Sequence, residues 1–159
     1  MFGKLNTNEI EEVLIQQIVG RIGCHADDTT YIVPVSYAYD GEYIYGHTFE
    51  GMKVNMMRKN PKVCFQADKM KEKDMANWQS VIAWGEFEEL KQPDERRLAL
   101  QKLNERVLPL ISSETMHLSA QWPFPPEDAG SIKGIVYRIR LKEKTGRFEK
   151  STGSAFFAS

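Results

Sequence analysis

Apolar and polar residues alternate with a period of two along much of the chain, a pattern that predicts β-strands. The strands are predicted at 20–26, 30–39, 42–48, 63–68, 78–90 and 132–141 or beyond. Apolar spacing and start and stop signals predict helices at 7–18, 51–59 and 93–108. We therefore predict a mainly β fold, a six-stranded antiparallel barrel with flanking helices, and not a doubly wound sheet.

Turn and cap signals mark where these elements meet. Asp27-Asp28 is predicted as a turn, and Asp40-Gly41 as a two-residue hairpin between strands. The pair Asn8 and Glu11 has the spacing of a helix capping box. A charged hairpin loop is predicted at 69–74, and Gly85 predicts a bend within a long strand.

The length of 159 residues predicts a single domain over 1–159. Residues 109–131 are predicted to form a long loop, which contains Trp122, Phe124 and the prolines Pro123, Pro125 and Pro126. Long loops in compact domains are often lids or binding loops, and a packed surface loop is the alternative. The C-terminal tail from about 148 is predicted to be flexible.

Composition excludes several classes of protein. The chain is 42% hydrophobic and 27% charged with a net charge of -1, so it lacks the basic excess that nucleic-acid binding needs. No apolar run approaches the ~20 residues of a membrane span, and the N-terminus does not resemble a signal peptide. We therefore expect a cytoplasmic protein with no nucleic-acid partner and no membrane association.

Two cysteines, Cys24 and Cys64, lie far apart and form no C-x-x-C pattern. In a chain without a signal peptide they are predicted to be reduced and buried. Their spacing with His25 and His47 matches no zinc motif, so no metal site is predicted.

The segment 33–53 carries the clearest chemical signal in the chain. A strand brings His47 and Thr48 to the start of a short basic helix at Gly51, Met52 and Lys53. The N–H groups at a helix N-terminus favour a phosphate, and Lys53 adds a full positive charge beside them. This corner predicts an anion cradle for a phosphate-bearing cofactor.

Six short segments follow one another in an order that resembles a known family. They are GRIG at 20–23, YIVPVSY at 31–37, HT and GMK within 47–53, RKNPKVCF at 58–65, SVIAWGE at 80–86 and TGR at 145–147. Together they resemble the pyridoxamine 5′-phosphate oxidase-like, FMN-binding split β-barrel proteins, and within them the nitroimidazole-resistance flavoproteins. The Arg and His set with which true pyridoxamine phosphate oxidases hold their substrate is not identified, which argues against that specific activity.

The resemblance implies a homodimer with FMN at the subunit interface. It implies that the isoalloxazine ring lies beside Val33, Pro34, Val35 and Ser36. It places the phosphate or ribityl chain near His47, Thr48 and Lys53, with Gly51 and Met52 completing the cradle. It further implies that the partner subunit contributes Trp78, Ser80 and Val81.

From this resemblance we expect an FMN-dependent oxidoreductase that acts on a small molecule with a nicotinamide electron donor. The sequence identifies no catalytic acid or base. A non-catalytic flavin- or haem-binding protein that stores, senses or delivers its ligand is the alternative, because imidazole suits haem iron. The deazaflavin F420 is a further alternative to FMN.

Overall fold

The computed structural model describes residues 1–71, 74–107 and 132–151. Within them the chain forms eight strands and three helices. The strands are β1 Phe2–Lys4, β2 Val19–Ala26, β3 Thr29–Ser36, β4 Ala38–Tyr39, β5 Tyr43–Thr48, β6 Lys62–Lys71, β7 Asp74–Leu90 and β8 Ile135–Glu149. The helices are α1 Thr7–Gln16, α2 Met52–Lys59 and α3 Pro93–Val107. This confirms the predicted mainly β fold.

The strands form one antiparallel sheet in the order β3-β2-β6-β7-β8-β5-β4, with β1 added beside β8. A single residue separates β3 from β4, so the two ends of the sheet meet where the chain passes from one to the other. Among the described strands β3 pairs only with β2, whereas β4 pairs with β5. The sheet therefore curls into a split barrel that stays open along the outer edge of β3.

Two apolar clusters hold the fold together. The larger fills the barrel and includes Ile22, Phe65 and Ile139, which are fully buried. The smaller lies between α3 and the β5–β8 part of the sheet, where Leu100 packs near Val136. Such burial of apolar area is the main favourable term in folding. The two clusters place α3 on one outer face of the sheet, and none of the three described helices lies over the outer face of β2, β6 and β7.

Five of the six predicted strands are present as single strands, the predicted strand at 30–39 is divided at Tyr37 into β3 and β4, and the short β1 was not predicted. The predicted charged loop at 69–74 is wrong, because β6 continues to Lys71 and β7 begins at Asp74. Met70 lies opposite Trp78 in this long hairpin, a cross-strand pair that extends the ladder.

The predicted capping box of α1 is wrong by two residues. Asn6 is the N-cap, its Oδ1 accepting from the amide of Glu9 at 2.9 Å. The Glu9 carboxylate in turn accepts from the amide of Asn6 at 2.7 Å. Glu11 instead accepts from the hydroxyl of Tyr39, across the barrel end, because α1 turns it toward the sheet.

The predicted hairpin at Asp40-Gly41 is confirmed with a shift of one residue. The central turn residues are Gly41, which has φ of +99°, and Glu42, while Asp40 donates its amide to the carbonyl of Tyr43. Glycine at the first central position is the type II′ pattern that suits a two-residue hairpin. The Asp40 carboxylate reinforces the turn by accepting from the amides of Glu42 and Tyr43.

The structure has a register shift at Gly85, where the sequence predicted a bend. The pairing of β7 with β8 shifts between Trp84 and Gly85, which leaves Lys142 as an extra residue on β8. A Cβ at Gly85 would lie 2.2 Å from the carbonyl oxygen of Arg140, so only glycine lets the two strands approach this closely.

The predicted loop at 109–131 lies outside the described residues, as do residues 152–159 of the predicted tail. Phe148 and Glu149, which begin that predicted tail, belong to β8. Among the described helices, none is both long and apolar enough to span a bilayer.

Candidate functional site

The start of α2 presents backbone amides to open space. Gly51 is the N-cap, it contributes no side-chain cap, and the first turn contains no acidic residue. The first helical hydrogen bond runs from the amide of Asn55 to the carbonyl of Gly51 at 3.1 Å, so the preceding amides have no acceptor within the helix. A Cβ at Gly51 would meet no atom within 4 Å. The helix start therefore has donors and space that fit an anion.

Lys53 lies in the first turn of this helix and is half-buried. Burial lowers the pKa of its ammonium group, while the thiol of Cys24 on β2 has a small opposing effect when ionised. The thiol itself is neutral at pH 7, because burial raises the pKa of Cys24. Burial and the position at a helix N-terminus each make the positive charge of Lys53 unfavourable. A bound phosphate would offset both unfavourable effects.

A cavity of about 390 Å³ adjoins this helix start. It is lined by Gly51, Met52, Asn55, Met56 and Lys59 of the helix region and by Ala26, Asp27 and Thr29 around the β2–β3 turn. Lys59 forms an ion pair with Asp27, which joins the helix to that turn. Two of the predicted site residues, Gly51 and Met52, thus line a cavity of useful size.

His47 points away from the barrel interior, toward α3. Its Nε2 donates to the carbonyl of Lys133 at 2.8 Å, and its ring meets that of Phe49 edge-on at 5.4 Å. Burial lowers the pKa of His47, and the nearby Arg96 guanidinium lowers it further, against the hydrogen bond to Lys133. The contacts of His47 are therefore with the residues that lead into β8, whereas Lys53 faces β2. Its predicted role beside a cofactor stays a prediction.

The predicted residues of β3 alternate between the two faces of the sheet. Val33 and Val35 face the core, and Val35 is buried. Pro34 and Ser36 are exposed on the outer face. Because β3 pairs on one side only within the part of the chain that the structure describes, backbone groups on its other edge point out of the sheet toward a possible ligand position.

The predicted residues of β7 divide in the same way. Trp78 donates through Nε1 to Glu149 at 2.9 Å, and the Ser80 hydroxyl accepts from the side-chain amide of Gln66 at 3.1 Å. Val81 faces the core and is fully buried. A ligand outside the barrel could contact Val81 only through its backbone.

One row across the outer face connects the β3 and β7 residues. Pro34 is opposite Arg21, whose guanidinium donates to the Gln66 side chain at 3.3 Å, and Gln66 reaches Ser80. The structure therefore brings Pro34 and Ser80 onto one face. The residues at the start of α2 form a separate group.

The sequence analysis missed a groove of about 540 Å³ on this outer face. Its floor is Gly23, where a Cβ would lie 2.6 Å from the sulfur of Cys64, and the exposed ring of Trp84 forms part of its wall. The signal was present in β7, where Ile82 and Trp84 are apolar at positions that alternate with the buried Val81 and Ala83. Apolar residues on both faces of a strand indicate that something covers the second face.

Comparison with known proteins agrees with this architecture. A family model described as pyridoxamine 5′-phosphate oxidase matches residues 6–148. An uncharacterised protein of Rhizobium meliloti is 28% identical over 143 residues, which cover 90% of this chain and 92% of that protein.

Two crystal structures show the same fold. An FAD-binding protein from Mesorhizobium loti is 26% identical, with a TM-score of 0.71 over 94% of this chain and 99% of that one. A protein described as a candidate 5-nitroimidazole antibiotic resistance protein from Bacteroides thetaiotaomicron is 18% identical, with a TM-score of 0.69 over 93% and 87% of the two chains. At that identity the second likeness concerns the fold alone.

Proposed function

The chain belongs to the pyridoxamine 5′-phosphate oxidase family, and we propose that it binds a flavin whose phosphate lies at the start of α2. The observation that carries this proposal is the start of α2, which has unsatisfied helix amides, open space at Gly51 and the half-buried Lys53 in its first turn. An anion supplies an acceptor for the helix amides that have none within the helix.

We propose FMN in preference to FAD. FMN ends in a phosphate, which fits one binding position at the start of α2. The chain has no dinucleotide-binding fingerprint of the kind that would favour FAD. FAD is the competing candidate, because the similar protein from Mesorhizobium loti is described as FAD-binding.

We further propose that the protein is an oxidoreductase that acts on a small molecule and uses a nicotinamide electron donor. The flavin would supply the redox chemistry, and the residues of this chain would bind it, orient it and exclude water. The open edge of β3 offers backbone donors and acceptors, with the side chains of Val33 and Val35 turned to the barrel. We also propose that the protein is related in function to the nitroimidazole-resistance flavoproteins.

A non-catalytic flavin-binding protein is the second candidate. It is favoured by the titratable residues at the predicted site, since burial lowers the pKa of both Lys53 and His47, and the Nε2 of His47 donates to a backbone carbonyl of its own chain. Haem is less suited than a flavin here, because the Nε2 of His47 already donates to the carbonyl of Lys133.

We also propose that a second copy of the chain covers the outer face of β2, β6 and β7. Ile32, Cys64 and Trp84 lie in one row across this face, and the side chains of Ile32 and Trp84 are 65% and 43% exposed. Exposed apolar patches of this kind usually mark an interface. Trp78 and Ser80 are on the same face, which would let them approach a flavin held by the other subunit.

The visible spectrum of the purified protein and chromatography of its heat-released cofactor test these proposals. We expect flavin absorption near ~450 nm and release of FMN. Release of FAD alone would contradict the choice of FMN, and a haem band without flavin would contradict the flavin proposal. Oxidation of NADH or NADPH by the loaded protein, with a nitroaromatic or quinone acceptor, separates the enzyme from the non-catalytic candidate.

A further inference from the structure

Arg58, in the last turn of α2, binds two carboxylates with one guanidinium group. Its Nη1 and Nη2 donate to the two oxygens of Glu50 at 2.8 and 2.9 Å. Its Nε and Nη2 donate to the two oxygens of Glu89 at 3.0 and 2.9 Å. The hydrogen bonds to Glu89 and Glu50 raise the pKa of Arg58 above its already high value, so the group remains charged.

The two carboxylates belong to very different parts of the molecule. Glu89 is on β7, in the middle of the sheet, and only 20% of its side chain is exposed. Glu50 is 66% exposed and directly precedes Gly51, the N-cap of α2. Arg58 therefore connects the residue before the helix start to the end of a central strand of the sheet.

Within the described residues, the corner that contains Glu50 has little regular backbone hydrogen bonding. The ladder between β5 and β8 ends at Thr48, and the first helical hydrogen bond of α2 ends at Gly51. Phe49 and Glu50 lie between these two points and are exposed. Isolated surface ion pairs contribute little, but a network of bidentate Arg–carboxylate contacts is the exception.

We propose that Arg58 is a positioning residue for the phosphate: by clamping Glu50 to Glu89 it fixes the corner that aims the α2 amides and Lys53. This inference rests on the proposed function, because it concerns the same phosphate position. It adds one requirement to the proposed function. An arginine that does not touch the ligand, seven residues after Gly51, is needed for tight phosphate binding. Preorganised donors bind more tightly because less ordering is needed on binding.

The chemistry of the clamp requires arginine. A lysine at this position keeps the positive charge but has a single ammonium group, which cannot form bidentate contacts with two carboxylates. The substitutions Arg58→Lys and Glu50→Asp both preserve the net charge around the phosphate. Any loss of phosphate affinity in these variants therefore arises from geometry and not from a changed Coulomb interaction.

The experiment titrates FMN and riboflavin into the apoprotein of the wild type and four variants. Arg58→Lys and Glu50→Asp test the clamp. Arg97→Lys is the matched control, because Arg97 also forms an exposed ion pair, with Asp94 on α3. Lys53→Ala tests the phosphate position itself. Amide hydrogen exchange of residues 49–54 in each apoprotein reports whether the corner has loosened, and the exchange of core strands reports whether the fold is intact.

We expect Arg58→Lys and Glu50→Asp to weaken FMN binding by about 3- to 10-fold and to leave riboflavin binding nearly unchanged. Amide hydrogen exchange should become faster only in residues 49–54. Arg97→Lys should match the wild type. Unchanged FMN affinity in both clamp variants would overturn the inference, and so would an equal loss for the two ligands. If Lys53→Ala also leaves the preference for FMN intact, the phosphate position of the proposed function is wrong. If only Lys53→Ala reduces that preference, the phosphate position stands and the clamp alone fails.

Discussion

Burial changes the titration of the two side chains on which the site prediction depends most. The ammonium group of Lys53 and the imidazole of His47 both lose favourable hydration in the fold, which lowers the pKa of each. Lys53 faces a neutral thiol, and His47 donates to a backbone carbonyl. At the residue scale, Lys53 therefore gains from an added anion, whereas His47 already has a protein acceptor.

The lowered pKa of His47 predicts a pH dependence of stability. Above pH 6.5, the ordinary pKa, the imidazole is neutral in the folded and the unfolded chain. As the pH falls below 6.5 the unfolded chain takes up the proton first, so stability is lost down to the lower pKa of the folded state. We expect His47→Gln, which keeps an N–H donor, to lose less stability than the wild type between pH 7.5 and 5.5. Urea unfolding at both pH values measures this, and parallel losses would contradict the prediction.

The sequence predicted candidate site residues by type and order but not their neighbours. Lys133, which accepts from His47, lies 86 residues further along the chain. The clamp from Arg58 to Glu89 spans 31 residues. Such contacts depend on sheet register, and a single sequence does not determine which distant charged residues a strand brings together.

At the element scale, the β2–β3 turn has a strained backbone. Asp27 and Asp28 have φ of +50° and +59°, the left-handed conformation that a type I′ hairpin requires at both central positions. Glycine is preferred at the second of these positions, and a residue with a Cβ is less favourable there.

We therefore expect Asp28→Gly to stabilise the protein by about 0.5 kcal/mol, the strain relieved being partly offset by the greater freedom of glycine in the unfolded chain. Asp28→Ala is the matched control, because it removes the same charge and keeps the Cβ. Equal stabilisation by both substitutions in thermal unfolding would show that charge, and not backbone conformation, is responsible.

Periodicity predicted the elements better than it predicted their ends. The six main strands follow from alternation, because each has one face in the barrel core. The capping box was placed at Asn8 and Glu11, since both that pair and Asn6 with Glu9 have the required spacing, and packing decides between them. The β6–β7 hairpin was predicted too short because its lysines are typical of loops, although the pairing of Met70 with Trp78 continues the ladder.

At the scale of the whole molecule, the apolar outer face of β2, β6 and β7 predicts that the protein is a dimer. We expect light scattering at micromolar concentration to give about twice the chain mass of 18.3 kDa, because a second copy would remove Ile32, Ile82 and Trp84 from water. Trp84→Glu should produce a monomer with weakened flavin binding.

The control for this prediction is Leu98→Glu. Leu98 is an apolar residue on α3 with 49% of its side chain exposed, so it matches Trp84 in exposure but lies away from the proposed interface. The Leu98→Glu variant should remain a dimer. A wild-type monomer that retains its flavin would contradict the proposed interface.

The most direct test of the central claim, a flavin phosphate at the start of α2, is the affinity of Lys53→Ala for FMN and riboflavin. Removing a charge-assisted hydrogen bond of about 1.5–3 kcal/mol should weaken FMN by roughly 10- to 150-fold. Riboflavin, which lacks the phosphate, should bind almost as it does to the wild type, and substitution of the exposed Lys91 by alanine should affect neither ligand. An equal loss for FMN and riboflavin in Lys53→Ala, or no loss for either, would contradict a phosphate at this position.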